Sequence, residues 1–317
     1  MGAIMHIPDN FLSPPVWASL DCVAAPAIAF VSRRAQKSAD TSQLPLLGVL
    51  GAFVFAAQMV NFPVGIGTSG HLVGGTLLAC IIGPWAAALV MTSILVIQAL
   101  VFQDGGVLAL GANVINMALL GVLVGYLPAR LLCRSAWGGF GIFIGGTCSV
   151  LVSGVLALSE LTISGIHMSA ATIEVSLIVF AVNALVEGAI TLSALRAIER
   201  LKPGVSLLGA NGSILPVPKR KLRTLTATIA LASAFIAAIG VAVSSKLPDG
   251  LEHLALRLGI HFGAHPVVNS PLSDYYIREL GMNWISRASA GLLGLLCIYA
   301  ICGIGSHLLG RSKRSFS

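Results

Sequence analysis

The chain has 317 residues, of which 56% are hydrophobic and only 10% are charged, and its formal net charge is +7. Soluble domains carry roughly 25% charged residues, so a water-exposed fold of this composition would present large apolar patches and aggregate. The composition therefore excludes an ordinary soluble protein, and the basic residues lie at the ends of apolar runs, which favours membrane topology over nucleic-acid binding.

Nine apolar runs follow one another along the chain. They predict helices, because a lipid-exposed backbone must satisfy its own hydrogen bonds and a helical span needs about 20 mostly apolar residues. The runs are 15–33, 44–62, 71–83, 85–103, 111–132, 139–159, 173–195, 224–244 and 287–307. The third run is short and meets the fourth at Gly83-Pro84, so it is the one expected to be broken or re-entrant. The expected fold class is an all-α integral membrane protein.

Basic residues indicate the orientation of the chain. Arg and Lys accumulate in cytoplasmic loops, and if the N-terminus is outside, 15 of the 19 basic residues fall on the inner side. Those left outside are Lys246, Arg257, Arg278 and Arg287. We therefore expect a multi-pass protein of the inner or plasma membrane, with its N-terminus outside and its C-terminus in the cytoplasm.

Loop composition divides the chain into two modules. Residues 1–200 contain seven short-looped runs, residues 201–223 form a cytoplasmic linker, and residues 224–317 form a two-span hairpin around a polar external segment. The sequence lacks a G-x-x-x-x-G-K-[ST] phosphate loop. If ATP drives this protein, a separate subunit hydrolyses it.

Two histidines on the expected external side are the leading candidates for chemistry. His6 lies in the sequence MHIPD, and His71 lies in SGHLVGG at the start of the third run. Imidazole suits nickel, cobalt, copper and zinc. An α-amine, the adjacent His amide nitrogen and the His ring can form fused chelate rings, and planar nitrogen ligation favours Ni(II) or Cu(II) over Zn(II). From these residues alone, two interpretations of His6 and His71 stay open: they are metal ligands, or they are ordinary polar residues at the outer rim of the helices.

Five ordered motifs resemble one family. MHIPD at 5–9 with FLSP at 11–14, SGHLVGG at 69–75, GANVINM at 111–117 and Glu187-Gly188 are similar to cobalt/nickel permeases of the CbiM/NikM type. These permeases are substrate-binding components of energy-coupling-factor transporters. PDGLE at 248–252, followed by PLSDY at 271–275, resembles the small accessory component of the CbiN/NikN type. The resemblance implies a seven-helix substrate-binding bundle fused to an accessory hairpin with an external loop.

The resemblance implies a transporter component rather than an enzyme, with Ni²⁺, or alternatively Co²⁺, as cargo and no resident cofactor. The ion would be held by the Met5 amine, the amide and ring of His6, and the ring of His71. Asn113 and Glu187 are candidates for support behind these ligands, although either could instead serve helix packing. Met5 is preceded by Met1-Gly2-Ala3-Ile4, and a peptide-bonded Met5 has no free amine, so we expect Met5 to be the true start.

The family implies a transmembrane coupling subunit and two ATPase subunits in a bacterial or archaeal membrane. Small-residue faces are expected to pack against the coupling subunit; they contain Gly121, Gly125, Gly141, Gly145 and Gly146. The rival reading is an ion-coupled secondary transporter, which would need a chain of intramembrane acids. In the seventh run only Glu174 and Glu187 qualify.

Overall fold

The computed structural model describes residues 6–38, 44–65, 67–201, 219–245, 247–257, 268, 270–281 and 283–314. Among these residues, one antiparallel hairpin contains the only strands, and most of the remainder is helical. The elements in chain order are α1 (Pro14–Ser38), α2 (Leu44–Gln58), β1 (Phe62–Gly65), β2 (Thr68–Gly70), α3 (Gly75–Ile82), α4 (Pro84–Phe102), α5 (Leu110–Leu132), α6 (Gly138–Ile163), α7 (Ala170–Leu201), α8 (Lys219–Phe235, continued to Val243), α9 (Gly250–Arg257) and α10 (Trp284–Arg314).

Seven helices of the described part are long and apolar enough to cross a membrane, namely α1, α4, α5, α6, α7, α8 and α10. Helix α2 is apolar but shorter. The chain order of seven helices, α1 to α7, followed by the pair α8 and α10 confirms the predicted all-α membrane fold. Three of the described helices contain π-helical segments, at Gln98–Phe102, Val114–Gly121 and Ile236–Gly240.

Helix α3 corresponds to the third predicted run and is too short to cross a bilayer by itself. Its eight residues extend roughly 12 Å, against a hydrocarbon core of about 30 Å. Gly74 and Gly83 bound the helix with φ values of 78° and 81°, and Pro84 starts α4. All eight residues are buried. The third run is therefore an internal helix rather than a full span.

Glycines bring α5, α6 and α7 into close contact. A Cβ atom added at Gly145 would lie 2.2 Å from the carbonyl oxygen of Gly125, and one added at Gly146 would lie 2.9 Å from the Cα of Gly188. A Cβ atom added at Gly121 of α5 would lie 3.0 Å from the hydroxyl of Ser153 in α6, and one added at Gly141 of α6 would lie 2.7 Å from the carbonyl oxygen of Pro128 in α5. The prediction that these glycines contact a coupling subunit was wrong, because neighbouring helices of the chain already occupy the faces.

The pair α8 and α10 packs on α2 of the seven-helix part. A Cβ atom added at Gly294 of α10 would lie 2.4 Å from the ring of Phe55 in α2. Ile298 of α10 is fully buried, and its side chain lies 3.2 Å from a Cβ atom added at Gly51 of α2. The last third of the chain thus contributes to the same core as the first.

Residues 6–12 fold back over one end of the bundle. Ile7 and Leu12 are 1% and 5% exposed, and they cluster with Leu251 and Leu254 of α9. The connection between α4 and α5 meets this segment, where the N–H of Gly106 donates to the carbonyl of Ile7 at 2.9 Å. This end of the bundle therefore joins three segments that are far apart in sequence.

Candidate metal site

The structure brings the two predicted histidines together. The ring centroids of His6 and His71 lie 6.1 Å apart, with an interplanar angle of 24°, and each residue is only 1% exposed. His71 directly follows β2, and His6 opens the segment that covers the bundle end. Two nitrogens that share an ion at bond lengths of about 2.1 Å lie at most about 4.2 Å apart. Because donor nitrogens lie at ring edges, this centroid separation fits two imidazoles on one ion.

The two ring nitrogens of His6 have different surroundings. Nδ1 lies 3.2 Å from Oδ1 of Asp104, whereas Nε2 is buried and has no hydrogen-bond partner among the described residues. A carboxylate beside one ring nitrogen orients the imidazole. The structure therefore orients the ring of His6 through Asp104, and a metal ion that binds Nδ1 would have to replace this contact.

His71 is also held through Nδ1, which lies 2.9 Å from the carbonyl oxygen of its neighbour Leu72. Burial, followed by the nearby His6, lowers the pKa of His71 from 6.5 to about 4. A neutral imidazole is the form that binds a metal ion. His71 is therefore ready to act as a ligand at neutral pH without first losing a proton.

The predicted chelate with Met5 makes a specific demand on His6. A small ring that includes the amide nitrogen of His6 can close only through Nδ1, which in the structure faces Asp104. Met5 lies outside the described residues. Within the described part, no group of three or more His, Cys, Asp and Glu residues could hold a metal ion. Donors beyond the two imidazoles would therefore come from the main chain or from outside the described residues.

Asn113 lies under the N-terminal segment and fixes its backbone. Its Oδ1 accepts the N–H of Ile7 at 2.8 Å, and its Nδ2 donates to the carbonyl of Ile7 at 3.0 Å. Asp9 adds a further link, because its Oδ1 accepts the N–H of Leu108 at 2.8 Å. The amide of Asn113 therefore holds the backbone of Ile7, the residue after His6, and so fixes the position of the His6 side chain.

Glu187 supports the other histidine. Its two carboxylate oxygens accept the N–H groups of Val73 and Gly74 at 2.7 and 2.9 Å, and the residue is completely buried. These bonds close the turn between His71 and helix α3. Glu187 thus orders the loop that bears His71, because both of its carboxylate oxygens accept hydrogen bonds from the backbone of that loop.

Asp104 and Tyr275 are the site residues that sequence reasoning missed. The hydroxyl of Tyr275 donates to Oδ2 of Asp104 at 2.5 Å. Burial, followed by the neighbouring Asp104, raises the pKa of Tyr275 well above its usual value, so the hydroxyl keeps its proton. One sequence signal could have found Asp104, which is the only acidic residue between positions 41 and 159.

The PDGLE segment docks on the strand that leads to His71. The N–H of Ser69 in β2 donates to the carbonyl of Pro248 at 2.7 Å, and the hydroxyl of Ser69 donates to the carbonyl of Leu247 at 2.7 Å. Asp249 forms a parallel bridge with Ser69 and is fully buried. This motif therefore extends the hairpin of β1 and β2 beside the two histidines.

Comparisons with known proteins agree with this architecture. The chain matches the CbiM family, described as "Cobalt uptake substrate-specific transmembrane region", over residues 6–205. A crystal structure of a truncated transition metal transporter is similar with a TM-score of 0.55 and 32% identity, covering 62% of this chain and 99% of that one.

Fused proteins are among the relatives. The putative fused nickel transport protein NikMN of Archaeoglobus fulgidus is 33% identical over 300 residues, which cover 94% of this chain and 96% of that protein. The probable fused nickel transport protein LarMN of Lactiplantibacillus plantarum is 42% identical over 159 residues, and this match spans 50% of the chain and only 48% of that relative. The chain therefore belongs to the CbiM family, as a membrane transport component of the CbiM/NikM type fused to an accessory part, and it is a transporter component rather than an enzyme.

Proposed function

We propose that this chain is the substrate-binding membrane component of an ATP-driven energy-coupling-factor importer for Ni²⁺. The observation that carries the proposal is the pair of buried imidazoles, His6 and His71, with centroids 6.1 Å apart. Nickel is preferred over Co²⁺ because the donors are nitrogens and because the fused relatives are named as nickel transport proteins. Co²⁺ is the alternative cargo, as the description of the family suggests.

In this proposal the ligands are the Met5 amine, the amide and ring of His6, and the ring of His71. Asn113 and Glu187 hold the two segments that carry the imidazoles. We also propose the division of the chain into a metal-binding part (1–200), a cytoplasmic linker (201–223) and an accessory part (224–317). The proposed orientation has the N-terminus outside and the C-terminus in the cytoplasm, and the distribution of basic residues supports it.

The proposed partners are a transmembrane coupling subunit and two ATPase subunits. The alternative hypothesis is an ion-coupled secondary transporter that works without partner subunits. Such a transporter needs acidic residues within the membrane that can exchange protons or ions. Glu187 has both oxygens on backbone N–H groups, and Glu174 is exposed. Neither carboxylate is therefore placed to relay protons across the membrane. This favours transport that is driven by a partner subunit that hydrolyses ATP.

Uptake of radioactive nickel tests this proposal. We expect cells that express the chain with its coupling and ATPase subunits to accumulate nickel, and excess unlabelled Ni²⁺ to suppress the signal more strongly than Co²⁺ does. Uptake by the chain alone, abolished by a protonophore, would instead support the secondary transporter. Stronger suppression by Co²⁺ would reassign the cargo to cobalt.

A glycine beside His6 provides a test of the site itself. Gly105 has a φ of +92°, and a Cβ atom there would lie 2.8 Å from the Cβ of His6. Gly165 has a similar φ of +89°, but no atom of the described residues lies within 4 Å of a Cβ added there. Both substitutions to alanine carry a backbone strain of about 1–3 kcal/mol, but only Gly105→Ala displaces the imidazole.

We therefore expect Gly105→Ala to lower the affinity for Ni²⁺ by at least about tenfold, as when support around a ligand is disturbed, and Gly165→Ala to leave it unchanged. Calorimetric titration of the purified chains measures both. Equal affinities in the two variants would show that the proposed position of His6 in the site is wrong.

A further inference from the structure

Two glutamines are buried among apolar helices close to the metal site. Gln58 ends α2 and Gln98 lies in α4, and their exposed fractions are 4% and 0%. The side-chain nitrogen of Gln98 donates to the side-chain oxygen of Gln58 at 2.9 Å. A bond of this kind between two helices is the usual role of a buried amide in a membrane protein. Gln58 makes a second hydrogen bond, which that role does not require.

The second bond of Gln58 reaches the loop that carries His71. The side-chain nitrogen of Gln58 donates to the carbonyl oxygen of Val73 at 2.8 Å, and Val73 lies two residues after His71. Because a carbonyl oxygen can only accept, this bond fixes the orientation of the Gln58 amide and leaves the amide oxygen for Gln98. Gln58 therefore connects α2 and α4 to the loop of a candidate ligand.

The peptide unit between Val73 and Gly74 is held at both of its polar groups. Gln58 of α2 donates to its carbonyl oxygen, and Oε1 of Glu187 in α7 accepts its N–H group at 2.9 Å. The carbonyl and N–H groups of a trans peptide point in opposite directions. Gln58 and Glu187 therefore clamp this peptide from opposite sides.

The preceding peptide unit extends this clamp to the imidazole. Oε2 of Glu187 accepts the N–H group of Val73 at 2.7 Å. The carbonyl oxygen of the same peptide unit is that of Leu72, and it lies 2.9 Å from Nδ1 of His71. Because a peptide unit is planar and stiff, holding its N–H group also fixes the oxygen that contacts the ring. The position of the His71 ring therefore depends on both side chains of the clamp.

We propose that Gln58 is a positioning residue for the metal site: together with Glu187 it holds the Val73–Gly74 peptide and so fixes the ring of His71. The inference rests on the proposed function for the identity of the cargo. It adds that α2, the helix on which α8 and α10 pack, acts on a ligand through a single side chain.

Two matched substitutions separate positioning from helix packing, because each replaces a buried amide with an apolar side chain of similar length. Gln58→Met removes the bonds of Gln58 to Val73 and to Gln98. Gln98→Met removes the bonds of Gln98 to Gln58 and to Tyr275. Each variant loses two hydrogen bonds, so both should lower the melting temperature in detergent by similar amounts. Only Gln58→Met removes a contact to the loop of His71.

Calorimetric titration of the full-length purified chain with Ni²⁺ measures the difference in binding. Residues that support a metal ligand contribute about 10–100-fold to affinity, so we expect Gln58→Met to weaken binding about tenfold and Gln98→Met to weaken it less than about threefold. Equal losses of affinity in the two variants, or an unchanged affinity in Gln58→Met, would overturn the proposal.

Gln58→Asn repeats the test with a smaller change in the core, in case Gln58→Met does not fold. Its amide is one methylene group shorter, so it cannot reach both Gln98 and Val73 as the glutamine does. Gln58→Asn should also weaken Ni²⁺ binding more than Gln98→Met does, and the opposite order would count against positioning by Gln58.

Nitrogen NMR of histidine-labelled chains without metal separates this inference from the proposed function. The ring signal of His71, assigned by its loss in His71→Ala, should shift or broaden in Gln58→Met and stay as it is in Gln98→Met. If this pattern is found but the unchanged chain binds no Ni²⁺, the positioning stands and the cargo assignment fails. If Ni²⁺ binds and the signal responds to neither substitution, or equally to both, the positioning is wrong and the cargo assignment stands.

Discussion

Replacing His71 with alanine should lower the affinity of the purified chain for Ni²⁺ by more than about 100-fold, because loss of a ligand exceeds the 10–100-fold cost of losing a ligand's partner. The helical bundle should remain folded, since the side chain of His71 makes its hydrogen bond only to the adjacent Leu72 among the described residues. Calorimetric titration gives the affinity, and thermal unfolding in detergent checks the fold.

His167 provides the control for this substitution. It lies exposed in the connection between α6 and α7, so His167→Ala removes an imidazole of the same chemistry away from the site. We expect unchanged affinity in that variant. If His71→Ala bound Ni²⁺ as tightly as His167→Ala, the cargo site would have to lie elsewhere in the chain.

The second large effect is expected at Glu187, because its substitution leaves two buried N–H groups without acceptors. An unsatisfied buried group costs about 1–3 kcal/mol, so Glu187→Ala should lower the free energy of unfolding by about 2–6 kcal/mol. Glu187→Gln keeps one acceptor oxygen but turns an amide N–H₂ toward the other N–H group, and should cost about half as much. Both should also weaken Ni²⁺ binding, because the loop of His71 loses its anchor.

Glu174→Gln is the matched control, since this exposed acid lies on the same helix, α7, and should change neither quantity by more than about 0.5 kcal/mol. Thermal unfolding and calorimetric titration measure the two effects together. A Glu187→Gln chain that unfolds like the unchanged protein but no longer binds Ni²⁺ would contradict the anchoring role and indicate direct action of the carboxylate on the ion.

Much of the fold followed from the sequence because bilayer thickness imposes one strong rule on apolar runs. Each predicted run coincides with a helix of the structure. Helix α3 is shorter than a membrane span, as its short apolar run ending at Gly83-Pro84 had indicated. In the structure Gly74 and Gly83 lie at its two ends. The meeting of His6 with His71 came from the family motifs, since no local rule relates residues so far apart.

The supporting residues could not be predicted in the same way. The partner of Asp104 is Tyr275, 171 residues further along the chain, and only tertiary packing brings them together. The glycines of α5 and α6 illustrate a second difficulty. A sequence shows that one face of a helix consists of small residues, but it does not show which helix packs against that face. Glu187 was recognised as costly to bury, but its two backbone partners depend on how the loop after His71 folds.

The burial of the N-terminal segment has a kinetic consequence. His6 and His71 are each 1% exposed, and Ile7 and Leu12 are buried at the same end of the bundle, so the described residues shield both imidazoles from solvent while residues 6–12 stay in place. Arrival and departure must then share one opening step, of the kind that occurs over microseconds to seconds. Association rates should level off with rising metal concentration at that opening rate, and the residence time of the ion should depend on Asn113 and Gly105 as much as on the donors themselves.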